Sequence, residues 1–237
     1  MARSVKTDDE VAIYRRLAEQ YEATFRAFRD AVRPGITESQ LAEVAVAAWQ
    51  EVGGDEVSQI NVCAGENMNP WSRWPTDRPL RSGEFVGMDF HARAPHGLRG
   101  NASRTYLVGD EPTDEQRRLY RLAYEHLQST IQASRGGRAL KDVLRDAPIA
   151  PAQYQPQLEH RTILHSLGVM PSGYPHLDRH KMPVDDVLRA NQIFAIDCYF
   201  GEEGSPVAVK LEEQILVREG GVEILGVGIP FDERLLV

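Results

Sequence analysis

Residues 84–91 run as an alternation of side chains with period two, and similar strand-like stretches return near 58–63, 103–108, 161–165, 192–200, 207–217 and 222–225. Between them the apolar positions recur at helical intervals. Leu17, Tyr21, Phe25, Phe28 and Val32 mark one face of a helix that opens at Thr7, with Glu10 in capping-box spacing, and that "RPG" breaks. A second box, Thr37 with Gln40, opens "ESQLAEVAVAAWQEV", which stops at Gly53-Gly54. A third, Thr113 with Gln116, opens "DEQRRLYRLAYEHLQSTIQAS", and a shorter helix follows around 139–146. The order helix, helix, strands occurs twice. It predicts an α+β fold of two similar halves closing on one another, although no residue-level repeat accompanies it. The proline-rich stretch 147–157 reads as a loop, so the chain, 1–237, is expected to be a single domain.

Composition narrows the function. Apolar residues are 42% of the chain, as in ordinary soluble proteins. The net charge is −8, with 27 basic against 35 acidic residues and no basic block, which argues against nucleic acid and anionic membrane as partners. Cys63 and Cys198 are too few for a disulfide scaffold and lack metal-motif spacing, which fits a reducing cytoplasm. The first residues have no apolar stretch like that of a signal peptide, and no run approaches membrane-span length.

The informative residues are polar ones inside apolar strands. In "EFVGMDFHA", Phe85, Gly87, Asp89 and His91 share one face and Val86, Met88 and Phe90 the other, with Gly87 leaving space beside Asp89. One such Asp is ordinary on a solvated edge strand. But His165 ends an apolar run in "RTILHSLG", and Asp197 sits in the apolar "NQIFAIDCYFG". In "VAVKLEEQILV", Lys210, Glu212 and Gln214 fall opposite the core-facing Val207, Val209, Leu211, Ile215 and Val217. A buried carboxylate costs several kcal/mol unless paired or coordinated. Four strands each carrying an acid or a His point to a metal cluster.

These segments resemble the creatinase/methionine-aminopeptidase family and its pita-bread fold. "RPGITESQLAEV", "DFHARAPHGLRGNASRTYLVG", "LHSLG", "IFAIDCYFGEEG" and "VKLEEQILVREGGVEIL" carry the resemblance, over nearly the whole chain. It implies a ligand set of two Asp, one His and two Glu around two divalent ions. Asp89 matches the first Asp, His165 the His and Glu212 the last Glu; Asn101 stands at the second Asp and Asp197 at the first Glu. Asn101 removes a charge, and Asp197 is shorter than Glu by roughly 1–1.5 Å. These departures from the family set imply one divalent transition metal (Fe, Mn, Zn or Co), or weak binding of a second. His91 lies roughly 6.5–7 Å along the strand from Asp89 and is a candidate extra nitrogen ligand.

Trp71, in "AGENMNPWSR", stands where peptidase members carry a His, and the next His after His165 is His176, eleven residues on. "NPW" and the twelve-residue spacing from Asp89 to Asn101 are similar to the non-peptidase branch that includes dimethylsulfoniopropionate lyase. That branch places its base soon after the His, where this chain has Pro171 and Ser172. The resemblance leaves His176, Trp71 and Arg104 as catalytic candidates. Trp71, Trp74, Tyr174 and Arg93 are candidates for binding a small-molecule substrate, with a cation–π contact to an ammonium group open to the aromatics. Arg104, in "SRT", is expected to pair with a ligand carboxylate, and Cys198 to face the core. The leading expectation is a metal-dependent hydrolase or related bond-cleaving enzyme on a small amino-acid-like or amide substrate. The alternatives are a dinuclear Xaa-Pro or aminopeptidase, a metal-free binding protein and a non-heme Fe(II) oxidative enzyme. The family also implies a homodimer.

Overall fold

All three expected capping boxes form. Thr7 Oγ accepts the Glu10 N–H at 3.2 Å, and the Glu10 carboxylate accepts the Thr7 N–H at 2.9 Å, starting α1 (Asp8–Ala31). The Thr37/Gln40 and Thr113/Gln116 boxes start α2 (Glu38–Glu51) and α3 (Asp114–Ala133) in the same way. α4 (Leu140–Asp146) follows. The structure, a computed structural model, describes residues 4–71, 74–109, 111–147, 162–169, 173–178 and 186–237. The expected loop at 147–157 lies outside the described residues beyond Ala147.

Among the described residues, eight strands form one sheet: β1 (Val57–Ala64), β2 (Phe85–Arg93), β3 (Arg99–Leu107), β4 (Thr162–Ser166), β5 (Gly173–Asp178), β6 (Ile193–Gly201), β7 (Ala208–Arg218) and β8 (Gly221–Ile224). Their order is β1-β2-β3-β7-β6-β4-β5, with β8 beside β7. Every pairing is antiparallel. β5 is the strand the pattern did not announce. It contains Pro175, which lacks an N–H for the ladder, and it lies at the end of the strand order, where such a residue is tolerated.

The first half is β1–β3 with α1 and α2; the second is β4–β7 with α3 and α4. The two meet where Ser103 of β3 pairs with Glu212 of β7. This is the pita-bread arrangement that the sequence implied.

Period two decides what faces what. Val86, Met88 and Phe90 pack against helix residues Tyr21, Phe25 and Trp49, and Phe90 meets the Tyr21 and Trp49 rings at 5.8 and 5.4 Å. Ile196, Leu211 and Ile215 pack with Leu119, Tyr120 and Leu127 of α3. Each such side chain contributes about 1.5–3 kcal/mol by leaving water. Helices thus cover one face of the sheet in both halves. Asp89, Asp197, Lys210 and Glu212 of the same strands lie on the other. No described helix is long and apolar enough to cross a membrane.

Glu38, in the first turn of α2, is fully buried. Its carboxylate accepts the Ala64 N–H at 2.7 Å, the Asn67 amide at 2.9 Å and the Thr76 hydroxyl at 2.6 Å. One buried acid therefore ties the segment around Trp71 to a helix end, where a negative charge is also favoured by the helix dipole.

Candidate functional site

The seam between the halves brings together Asp89 (β2), Asn101 and Ser103 (β3), His165 (β4), Asp197 (β6), and Lys210 and Glu212 (β7). The Ser103 hydroxyl lies 2.8 Å from Asp89 Oδ1 and 3.2 Å from Glu212 Oε2. It has a single hydrogen for two carboxylates, so one of them is always left facing lone pairs. Glu212 Oε1 accepts from the Asn101 amide at 2.6 Å and lies 3.3 Å from His165 Nε2. Glu212 is 1% exposed. Its place in water is thus taken by neighbours on β3 and β4.

Lys210 is the strongest donor in the cluster. Its Nζ lies 2.9 and 3.0 Å from the two oxygens of Asp197, and 3.6 Å from Asp89 Oδ2. Register explains the reach: Asp197 pairs with Glu212 and Tyr199 with Lys210, so Lys210 and Asp197 are diagonal neighbours. The strand is fixed at this point, because Thr105 Oγ accepts the Lys210 N–H and donates to the Lys210 carbonyl, both at 3.0 Å.

Three carboxylates then face one ammonium. Burial pushes Asp197 up to about 7, aided by the charges of Glu212 and Asp89 and opposed by Lys210. Burial acts upward on Asp89 too, but Lys210 and His91 outweigh it and hold Asp89 well below the usual carboxylate range. For Lys210 burial acts downward, and the charges of Asp197, Asp89 and Glu212 outweigh it to raise it. His91 Nε2 lies 3.1 Å from Asp89 Oδ1. Burial lowers its pKa, and the Asp89 charge more than reverses that. Asp89 is thus well compensated, and Asp197 is the acid whose burial Lys210 does not offset.

Among the described residues, no group of three His, Cys, Asp or Glu side chains stands ready to hold an ion. The donors nevertheless suit one divalent ion. Asn101 Oδ1 is buried without a hydrogen-bond partner, and His165 Nε2 lies 3.3 Å from a Glu212 carboxylate that shares its donors. A neutral imidazole, an amide oxygen and carboxylates are the donor chemistry of Fe, Mn, Zn or Co. The donors do not suit two ions, because Lys210 spans both oxygens of Asp197.

The other sequence candidates fall into different places. Trp71 lines the site: its ring stands 6.0 Å from Lys210 Nζ and packs edge-on to Tyr199 at 6.0 Å. Gly87 makes the room, since a Cβ there would meet the Trp71 ring at 2.9 Å. Trp74 stands at the surface, 74% exposed. Arg93 lies 3.2 Å from Glu56. The side chains of Tyr174 and His176 lie outside the described residues, as do Pro171 and Ser172; the His176 backbone pairs with His165 across β4 and β5.

Arg104 differs from expectation. It bonds the Glu213 carboxylate at 2.5 Å and the Glu212 backbone carbonyl at 2.7 Å, and lies over the Phe231 ring at 4.1 Å. Its side chain leaves β3 on the face opposite Ser103, so it ties the seam from behind and does not pair with a ligand carboxylate. Cys198 lies on the helix side as expected, with Sγ 3.4 Å from the Ala123 carbonyl. Ser103 and the pairing of Lys210 were the parts unforeseen. Alternation from Asn101 puts Ser103 on the site face, and alternation from Glu212 does the same for Lys210, but spacing alone cannot reveal which partner each will take.

Comparison with known proteins agrees with this fold. The family model described as metallopeptidase family M24 matches residues 12–219. A dimethylsulfoniopropionate lyase (DddP) from Roseobacter denitrificans is 24% identical over 99% of this chain and 54% of its own length. An uncharacterized peptidase from Staphylococcus aureus is 27% identical over 94% of this chain and 62% of its own. Among solved structures, the prolidase from Pyrococcus furiosus superposes with a TM-score of 0.84 at 19% identity, covering 95% of this chain and 66% of that one. The Xaa-Pro dipeptidase from Bacillus anthracis gives a TM-score of 0.83 at 22% identity, covering 95% and 62%. This chain therefore spans between about half and three fifths of the length of the curated relatives it matches.

Proposed function

Given that the chain belongs to metallopeptidase family M24, we propose that it is an enzyme that cleaves a bond in a small amino-acid-like or amide substrate at this seam. One divalent ion would be held by His165 and Glu212, with Asn101 and Asp89 completing the set. The observation that carries the reading is the meeting of these four side chains from β2, β3, β4 and β7 around Ser103, on the sheet face that the helices leave free. When bound, such an ion supplies Lewis acidity toward the scissile group and lowers the pKa of water beside it.

The protein's own side chains would do the rest. Ser103 holds Asp89 and Glu212 at a fixed separation. His91, partly open to solvent, holds a proton against Asp89 at the edge of the site and can pass it outward. Trp71 supplies an apolar wall next to the Lys210 charge and keeps water from that side. The whole reading extends to a small-molecule substrate, a cytoplasmic location and a homodimer.

Activity should be sought with Xaa-Pro dipeptides and dimethylsulfoniopropionate, the chemistries named for relatives, and with simple amino-acid amides. The expected result is turnover of one of these classes, lost in chelator and restored by Mn, Fe, Co or Zn. Glu212→Gln should lower both ion affinity and rate by at least about 100-fold. Full turnover in chelator would remove the metal from the account. A metal-free binding role is the second reading, favoured by the hold of Lys210 on Asp197. It requires that a ligand of these classes binds equally well with and without chelator and is released unchanged.

A further inference from the structure

Lys210 is 4% exposed, and its side chain bridges acids from both halves of the molecule. Two donors meet Asp197 of β6 at 2.9 and 3.0 Å, and the ammonium lies 3.6 Å from Asp89 of β2. A cation that joins Asp89 to Asp197 across the seam does what a metal ion does when it binds two carboxylates from different strands. We propose that the Lys210 ammonium is a built-in cation that stands in place of a second divalent ion, so that this site takes one ion and not two.

Three features of the site fit this assignment. The first is charge. Asp89, Asp197 and Glu212 supply three negative charges, and one divalent ion plus one ammonium supplies three positive ones. Asn101 belongs to the same balance, since an Asp there would add a fourth negative charge to the seam. The second is reach. Asp197 is short, and the lysine stem crosses from its diagonal position on β7 to close the gap that a longer acid would fill. The third is enclosure. Trp71 stands 6.0 Å from Nζ, pressed against Gly87 and Tyr199, so the ammonium lies beneath an aromatic wall. The proposal rests on the one-ion reading only for where the other ion goes.

The test uses the full chain as wild type, Lys210→Met and Lys210→Met/Asp197→Asn. Each is dialysed against excess Mn or Zn, and bound metal is counted by mass spectrometry. Melting is then recorded in chelator and in excess ion. Wild type should hold no more than one ion. Lys210→Met should hold one more than wild type, melt lower in chelator, and recover when the ion is added. The double variant removes the acid with its partner; it should melt closer to wild type in chelator and gain no ion.

Two ions in wild type overturn the proposal, and that count stands even if a variant fails to fold. So does a Lys210→Met protein with the wild-type count and no ion-dependent rise in melting. The two readings fail separately. No ion in wild type and one in Lys210→Met refutes the one-ion site and supports the role of Lys210. One ion in each supports the one-ion site and refutes the role of Lys210.

Discussion

Strands β3 and β7 carry a buried cation on each of their two faces. Behind the seam, Arg104 meets a single carboxylate, Glu213, and its two terminal nitrogens also donate to the backbone carbonyls of Ser103, Glu212 and Ile229. On the site face, Lys210 meets Asp197 and Asp89 while Glu212 stands beside them without a full charge partner. The rear pair matches one cation to one carboxylate and holds two strands in register, with Arg104 Nε and Glu213 Oε1 left buried without partners. The front cluster is unbalanced by design of its residues and remains receptive to a further cation. Two cations on the same pair of strands thus divide the work: one locks the halves together, and the other sets what the opening between them can bind.

Removal of the rear cation should have the largest effect. Arg104→Met leaves Glu213 buried and unpaired, and should lower stability by about 3–5 kcal/mol, measured by chemical denaturation. Added divalent ion should not restore it. Restoration would mean that the two faces are one electrostatic unit, and the comparison would fail. Next in size is the front wall. Gly87→Val forces a side chain into the Trp71 ring and should cost about 1–3 kcal/mol. The displaced indole should shift the tryptophan emission, while the Arg104 lock is untouched. Thr113→Ala, at the start of α3 and away from both cations, should cost about 1 kcal/mol through the lost cap. It gives the scale against which a change at either face is judged.

The smallest effect belongs to an exposed ion pair. Glu223 sits 2.8 Å from Arg15 and 2.8 Å from Arg218. Hydrogen bonding from Arg15 lowers its pKa to about 2. A carboxylate depressed in the folded state stabilises above its unfolded pKa near 4.5 and loses that contribution as pH falls toward 2. The pair is solvated, so the loss should be only about 0.5 kcal/mol. Comparing Glu223→Gln with wild type over this pH range by denaturation checks it. An effect as large as that at Arg104 would erase the distinction between buried and exposed pairs.

Much of the fold was legible because its signals are local. Each capping box is read from two residues three apart, and all three form. Alternation placed Asp89, Lys210 and Glu212 on one face and Val86, Met88 and Phe90 on the other. What alternation cannot give is the partner across the sheet. The β3–β7 contact joins residues more than a hundred positions apart through Ser103 and Glu212. Only that pairing puts the Ser103 hydroxyl between two acids and turns Arg104 toward Glu213. β5 escaped because Pro175 in a short run reads against a strand, and only its position at the end of the order permits it. Glu38 escaped for a related reason. As a first-turn acid it looks like ordinary helix capping, and its role in tying down the Trp71 segment depends on Ala64, Asn67 and Thr76 arriving from elsewhere.

The most direct measurement is anomalous scattering from a crystal of the full chain soaked in Mn or Zn. The account predicts one peak, about 2.0–2.3 Å from His165 Nε2 and Glu212, with Lys210 still spanning Asp197. A second well-occupied peak between Asp89 and Asp197, with the lysine side chain swung away, would contradict it.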